Sequence, residues 1–330
     1  MWLSKFAVSF VPAQLTSSYW LPEPNSTFAP EVDGLFMFIF WLSVFFFVLI
    51  VGLGTYFALK YRRVGTTEVV VPSSSHNTAL EATWSLIPTA LIFVIFGWGF
   101  VGFVDMRTPP ENAYEVQVNA KKWAWNFTYP GGLQDSDLHL PVDQPTILTM
   151  TSDDVIHSLF IPAFRAKMDV VPGRYNKLWF HPTKTGENVL FCTEYCGREH
   201  SGMNRKVFVY EEGGVEKKLA EIQETMDKMD PAELGKITFT KSGCMQCHSI
   251  DGSKKVGPSF LGLFGTTHDI TTGEKITVDE NYIRESILEP MAKIAAGYNP
   301  QMPSYKGQLR EKQIEGLIAY IKSLKNSSSK

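Results

Sequence analysis

Residues 192–203 read CTEYCGREHSGM. Cys192 and Cys196 are followed at once by His200 and Met203, and His157 lies upstream in VIHSL. Thiolate, imidazole and thioether together make the donor set of a blue-copper site, and sets of this kind are built on β-barrels. One thiolate suffices for one copper. The extra cysteine points to a second copper, with both sulfurs bridging the two metals and His157 and His200 binding one each. A structural disulfide is the competing reading, because an outward compartment permits it. Zinc competes less well, since a thioether is a poor zinc ligand. A copper reading demands a β fold around the segment.

The flanking sequence meets that demand. EVQVN, KWAWNFTY, TILTMTS, HSLFIP, YNKLWFHP, ENVLF and KVFVYEE recur between turn residues, a spacing that predicts an all-β sandwich or barrel over 106–212. In KWAWNFTY the aromatics Trp123, Trp125, Phe127 and Tyr129 take alternate positions and so share one strand face, read as core.

Further upstream, residues 35–59 and 82–104 contain no charged side chain, and each run is long enough to cross a membrane as a helix. A transmembrane helical hairpin is expected over 34–105. Its connection opens with Lys60, Arg62 and Arg63, whereas the N-terminal external segment, 1–33, carries Glu23, Glu31 and Asp33. The positive-inside rule then puts the connection in the cytoplasm and both ends outside. Pro12 interrupts the short apolar run after Lys5, so no signal peptide is expected, and no cysteine offers a lipoprotein-type anchor there. A net charge of −3 over 330 residues supplies no basic field, which argues against nucleic acid as a partner.

Downstream, Gly213 and Gly214 close the β domain, a linker helix is expected over 213–230, and Pro231 restarts a helix. Residues 231–330 read as a small α domain, ending in a helix with Ile314, Leu317, Ile318 and Ile321 on one face. CMQCH at 244–248 has the spacing of a c-type haem attachment, with Cys244 and Cys247 bonding the porphyrin and His248 on the iron. A thioredoxin-like pair would need a βαβ context, and zinc a second ligand pair. Met302 in NPQMPSY is the chosen sixth ligand, with Met291 as its rival. The Pro258 carbonyl is placed to accept from the other nitrogen of His248.

In this order of parts the chain resembles subunit II of the haem-copper cytochrome c oxidases, in the caa-type form with a fused C-terminal cytochrome c domain. LEATW, KKWAW, VIHSL, MDVVPGR, the 192–203 block and CMQCH carry the likeness. The resemblance implies a multidomain membrane protein with a cupredoxin-like Greek-key barrel holding dinuclear copper A. The matching ligands are His157, Cys192, Cys196, His200, Met203 and the Glu194 carbonyl, with the Glu194 side chain helping to bind magnesium at the boundary with subunit I. It implies that Trp123 is the exposed aromatic where electrons enter. Glu81 is read two ways, as a carboxylate favoured by the helix dipole or as the entrance of a proton-conducting channel, and the E-x-x-W match favours the second. Arg174 lies either at the subunit I boundary or in a surface salt bridge. His76, His139, His181 and His268 match no ligand position and are read as loop or surface residues.

The implied function is electron input to a respiratory terminal oxidase. Electrons would pass from an external cytochrome c or equivalent donor through haem c and copper A to haem a of subunit I, for oxygen reduction coupled to proton pumping. The implied partners are subunits I and III in a bacterial inner membrane, with the soluble domains on the periplasmic or extracellular side. A nitrous-oxide reductase would need a large propeller and no hairpin, a quinol-oxidising subunit II would lack the copper ligands, and a copper chaperone would not explain covalent haem.

Overall fold

The computed structural model describes residues 20–62 and 76–324. Lys5, Pro12 and the rest of 1–19, Arg63 in the connection, and residues 325–330 lie outside the described residues. The chain divides into two compact units, Met1–Thr108 and Pro109–Lys330.

The first unit is a pair of helices, α1 (Ala29–Lys60) and α2 (Thr78–Arg107), both long and apolar enough to cross a membrane. Their large side chains, among them Phe47, Ile50, Ile92 and Phe93, face outward. An exposed apolar surface of this extent is stable in lipid and not in water. At the start of α2 the Asn77 side chain accepts from the Leu80 N–H at 3.1 Å, and Glu81 Oε1 accepts from the Asn77 N–H at 3.1 Å. Glu81 therefore serves in a reciprocal helix cap.

The second unit begins with ten strands. β1 (Tyr114–Lys121), β2 (Ala124–Thr128), β3 (Gln134–Asp135), β4 (Leu138–Pro141), β5 (Thr146–Ser152), β6 (His157–Ile161), β7 (Ala166–Val170), β8 (Asn176–Phe180), β9 (Gly186–Cys192) and β10 (Arg205–Tyr210) form two five-stranded sheets, ordered β3-β2-β1-β5-β8 and β4-β10-β9-β6-β7. The β1–β5 and β10–β4 pairs are parallel and their neighbours antiparallel, so the chain crosses between sheets as a cupredoxin-like sandwich does. Alternating residues fill the space between: Val116, Val118, Trp125, Phe127, Leu148, Leu159 and Leu190 are buried.

His139 corrects the surface reading. It is 2% exposed, stacks on Phe208 with ring centroids 5.5 Å apart, donates to Asp135 Oδ2 at 3.2 Å and accepts from the Tyr210 hydroxyl at 3.0 Å. It belongs to a buried polar cluster.

After β10 come α3 (Gly214–Lys228), α4 (Pro231–Lys241), the single turn α5 (Cys244–Cys247), a hairpin of β11 (Thr267–Asp269) and β12 (Lys275–Thr277), α6 (Glu280–Leu288) and α7 (Glu311–Ser323). Asp230 caps α4 through the Ala232 and Glu233 N–H groups, and Pro231 takes the first helical position, where its missing N–H costs nothing. The apolar face Ile314, Leu317, Ile318 and Ile321 packs on Phe239, Ile283 and Ile287.

The helical part lies against the sandwich along a charged seam. Lys241 Nζ meets Asp135 Oδ1 at 2.8 Å and Asp137 Oδ2 at 3.4 Å, and the Lys241 carbonyl accepts from Arg205 at 3.2 Å. Burial pushes the Asp135 carboxyl up, but its bonds to His139 and Lys241 outweigh this and hold it well below the usual range.

Where α4 crosses α7 the backbones touch. A Cβ on Gly235 would stand 1.9 Å from the Gly316 carbonyl oxygen, and one on Gly316 would stand 2.9 Å from that of Pro231. Gly235→Ala is expected to force the helices apart at a cost of about 1–3 kcal/mol. Denaturant unfolding followed at the C-terminal part would register it, and an unchanged midpoint would contradict the crossing.

Candidate metal centre

Leu159 lies opposite Cys192 and Phe160 opposite Phe191 in the antiparallel β6–β9 pair. His157 points to the same side as Leu159, two residues along, so His157 and Cys192 both face the interior at one end of the sandwich. They are 0% and 7% exposed. The chain leaving β9 then folds back at residues 193–204, bringing Cys196, His200 and Met203 to the same place before β10 begins.

Cys192 Sγ lies 3.9 Å from Cys196 Sγ, 3.9 Å from His157 Nδ1 and 3.4 Å from the Glu194 carbonyl oxygen. Cys196 Sγ lies 3.5 Å from His200 Nδ1 and 3.8 Å from Met203 Sδ. The ligand atoms of His157, Cys192 and Cys196 all fall within 4.8 Å of one another. Both cysteines are free, and their separation is far beyond the roughly 2 Å of a sulfur–sulfur bond. Six donor atoms, three of them sulfur, thus converge around one spot, a set that fits a soft metal pair.

Supporting groups orient these donors. His157 Nε2–H donates to Asp154 Oδ1 at 2.9 Å, which turns the Nδ1 lone pair toward the sulfurs. Burial works against the charged imidazole, but the Asp154 bond raises its pKa above the ordinary value. Burial likewise raises Asp154, and its bonds to His157 and to the Lys122 and Val155 N–H groups bring it below. The hydrogen bond shared between the two thiols lowers the pKa of Cys192 and raises that of Cys196. The Glu194 side chain is exposed while its carbonyl faces inward.

Trp123 departs from the exposed position expected of it. It is 5% exposed, and its indole N–H donates to the Cys196 carbonyl at 3.2 Å. Gly243, immediately before Cys244, packs on it so closely that a Cβ there would stand 3.4 Å from the Trp123 carbonyl oxygen and 3.1 Å from Ala124 Cβ. Gly197 of the copper loop packs on the indole itself, where a Cβ would stand 3.1 Å from the ring, and the helical domain meets the tryptophan's backbone.

Cys244, Cys247, His248, Met302 and Met291 line one cavity, walled by apolar residues that include Phe260, Ile283 and Leu317. His248 Nδ1–H donates to the Pro258 carbonyl at 2.8 Å, and its ring stacks on Phe260 at 4.5 Å. A Cβ on Gly257 would stand 2.5 Å from the same ring, so only glycine leaves the imidazole room. Burial pushes the His248 pKa down, which keeps the imidazole neutral, as an iron ligand requires. Met302 packs against the helical core, whereas Met291 is half exposed. Free thiols, an oriented imidazole and an apolar slot fit a haem.

Asp154, Phe260 and Gly257 were not foreseen as site residues. Asp154 had a local signal, a carboxylate three positions before the histidine in SDDVIH. The other two act through contacts that only the folded chain makes.

A family model for the periplasmic domain of cytochrome c oxidase subunit II matches residues 132–209, and one for cytochrome c matches residues 232–325. A cytochrome c oxidase subunit 2 of Alkalihalophilus pseudofirmus is 30% identical over 279 residues, covering 81% of this chain and 79% of the relative. That of Bacillus subtilis is 27% identical over 300 residues, covering 83% and 82%. A crystal structure of the periplasmic domain of subunit II of cytochrome oxidase from Bradyrhizobium japonicum is 27% identical and covers 36% of this chain and 99% of its own, with a TM-score of 0.34.

Asp154→Asn keeps the shape of the His157 support and weakens its acceptor. Copper affinity, read by competition with a chelator, is expected to fall about 10–100-fold, and unaltered affinity would show that the hydrogen bond does not orient the ligand.

Proposed function

Because the chain belongs to the cytochrome c oxidase subunit II family, we propose that it is the electron-input subunit of a respiratory terminal oxidase, with subunits I and III in a bacterial inner membrane. An external cytochrome c or equivalent would be the donor, and bound haem c and a dinuclear copper A would supply the redox chemistry toward haem a of subunit I, for oxygen reduction coupled to proton pumping. Under this reading His157, Cys192, Cys196, His200, Met203 and the Glu194 carbonyl hold the copper pair. Cys244 and Cys247 bond the haem, with His248 and Met302 on its iron.

The observation that carries the reading is the position of Trp123. Its indole bonds to the carbonyl of Cys196 on one side, while its backbone supports Gly243, the residue before Cys244, on the other. The residue thus links the copper loop, through its indole, to the haem-binding turn, through its backbone. Under this reading the tethered domain would stand in for a separate cytochrome as the donor at the tryptophan. Electrons from outside would therefore enter through the haem domain.

Two further roles belong to the same reading. Glu194 offers its carbonyl inward and its carboxylate outward, so one residue can serve copper and a magnesium ion at the subunit I boundary. Glu81, while capping α2, places a carboxylate at the cytoplasmic membrane edge, where it would take up protons at a channel entrance.

Two coppers per chain, with electron paramagnetic resonance hyperfine splitting shared equally between them, are the expected result for the haem-loaded protein. One copper, or none with a Cys192–Cys196 disulfide, would sink the assignment. Trp123→Leu is expected to slow flash-initiated electron transfer between haem and copper several-fold with both centres retained; an unchanged rate would remove the tryptophan from the path.

A further inference from the structure

Lys121 ends β1 in the copper domain and is 3% exposed, an expensive place for an ammonium group. Its hydrogen-bond partner is an amide: Nζ donates to Gln308 Oε1 at 2.5 Å and sits 3.2 Å from the centroid of the Tyr305 ring. Gln308 in turn donates through Nε2 to Asp153 Oδ2 at 2.6 Å, and the other Asp153 oxygen accepts from Asn119 at 2.7 Å. Lys121, Asn119 and Asp153 belong to the sandwich; Tyr305 and Gln308 belong to the helical domain.

Those two residues lie on the segment that carries Met302. Between α6 and α7, residues 299–310 contain no strand or helix, so no regular backbone ladder holds the methionine in place. Tyr305 N–H donates to the Ile287 carbonyl at 3.0 Å, its hydroxyl donates to the Ser242 carbonyl at 2.9 Å, and Gln308 N–H returns to the Tyr305 carbonyl at 3.0 Å. Toward the sandwich, Lys121 closes this segment from above with its charge on the Tyr305 ring and a bond to Gln308. Desolvation lowers the Lys121 pKa to about 7.

We propose that Lys121 is a positioning residue for the haem's axial thioether: through Tyr305 and Gln308 it holds the Met302 segment in place, so that methionine ligation depends on the haem domain being docked on the copper domain. This rests on the reading of Met302 as the iron ligand. A haem domain that lifts off would loosen its own axial ligand and lower its potential, since thioether ligation is what raises it. Docking thereby supplies both a short path and the potential suited to it.

The test uses the full chain in its assembled, haem-loaded oxidase. The readouts are the near-infrared charge-transfer band of methionine-ligated ferric haem and the haem midpoint potential. Removing a hydrogen bond from a charged donor shifts such an equilibrium by roughly tenfold. Lys121→Met and Gln308→Leu are each expected to weaken the band and lower the potential, with covalent haem and the copper signal retained. The double variant should lose no more than either single one, and Lys121→Arg should restore most of the band. Band and potential unchanged in Gln308→Leu would overturn the proposal, whether or not Lys121→Met folds. Met302→Ala separates the two ideas: a band that survives it refutes Met302 as the ligand, whereas a band lost there but intact in the Lys121 and Gln308 variants refutes only the positioning role.

Discussion

The register of the β6–β9 pair is the constraint on which the metal centre depends. With Leu159 opposite Cys192, the first residue of β6 and the last of β9 face inward at the same end of the sandwich. A slip of one residue would turn His157 or Cys192 outward, because side chains alternate across a strand. The remaining donors follow from a loop that leaves β9 and must rejoin the same sheet as β10. Its return brings Cys196, His200 and Met203 back over Cys192, and the Trp125 indole, bonded to the Met203 carbonyl at 3.2 Å, pins the loop's far end to the core. Sheet geometry and loop length together preorganise donors that would otherwise repel, since two thiolates at this separation are stable only when a proton or a metal lies between them.

The second constraint is the seam between sandwich and helical domain, which is polar where it fixes direction and close where it fixes distance. Lys241 reaches into Asp135 and Asp137 at one side, and Lys121 reaches to Gln308 on the other. Between these two pins, Gly243 rests on Trp123 and Ala124, and Gly202 faces Gln246 with room for no more than a Cβ, which would stand 3.4 Å from its amide nitrogen. Small residues set how near the two cofactor sites come; charged residues set how the domains are turned. Covalent linkage raises the effective concentration of one domain at the other, so each polar contact need contribute little to affinity and can be used for orientation.

The parts of this arrangement that were legible in the sequence are those whose chemistry is local. CMQCH and the 192–203 block state their ligands within a few residues, the apolar runs of α1 and α2 state their environment by length, and Ile314, Leu317, Ile318 and Ile321 state their face by period. The burial of Trp123 was not legible, because Gly197 of the copper loop, which packs on its indole, lies far along the chain. His139 failed for the same reason: its partners Asp135 on β3 and Tyr210 and Phe208 on β10 come from two other strands, and a lone histidine between hydrophobic residues carries no mark of them. Lys121 reads in sequence as one of an ordinary lysine pair, and only the loop after α6 makes it a buried group.

A buried lysine and a buried aspartate at one seam are costly, and an apolar interface of equal area would hold the domains at least as firmly. What an apolar interface would lack is direction. Hydrophobic contact tolerates sliding and rotation, whereas an ammonium left without its amide, or a carboxylate without its lysine, pays the full desolvation penalty. A displaced arrangement therefore loses more at Asp135 and Lys121 than it could recover by burying apolar surface elsewhere. Under the proposed function, in which two redox sites must keep one short distance, that steep penalty for misalignment matters more than the depth of the bound state. The seam gives up some stability to obtain it.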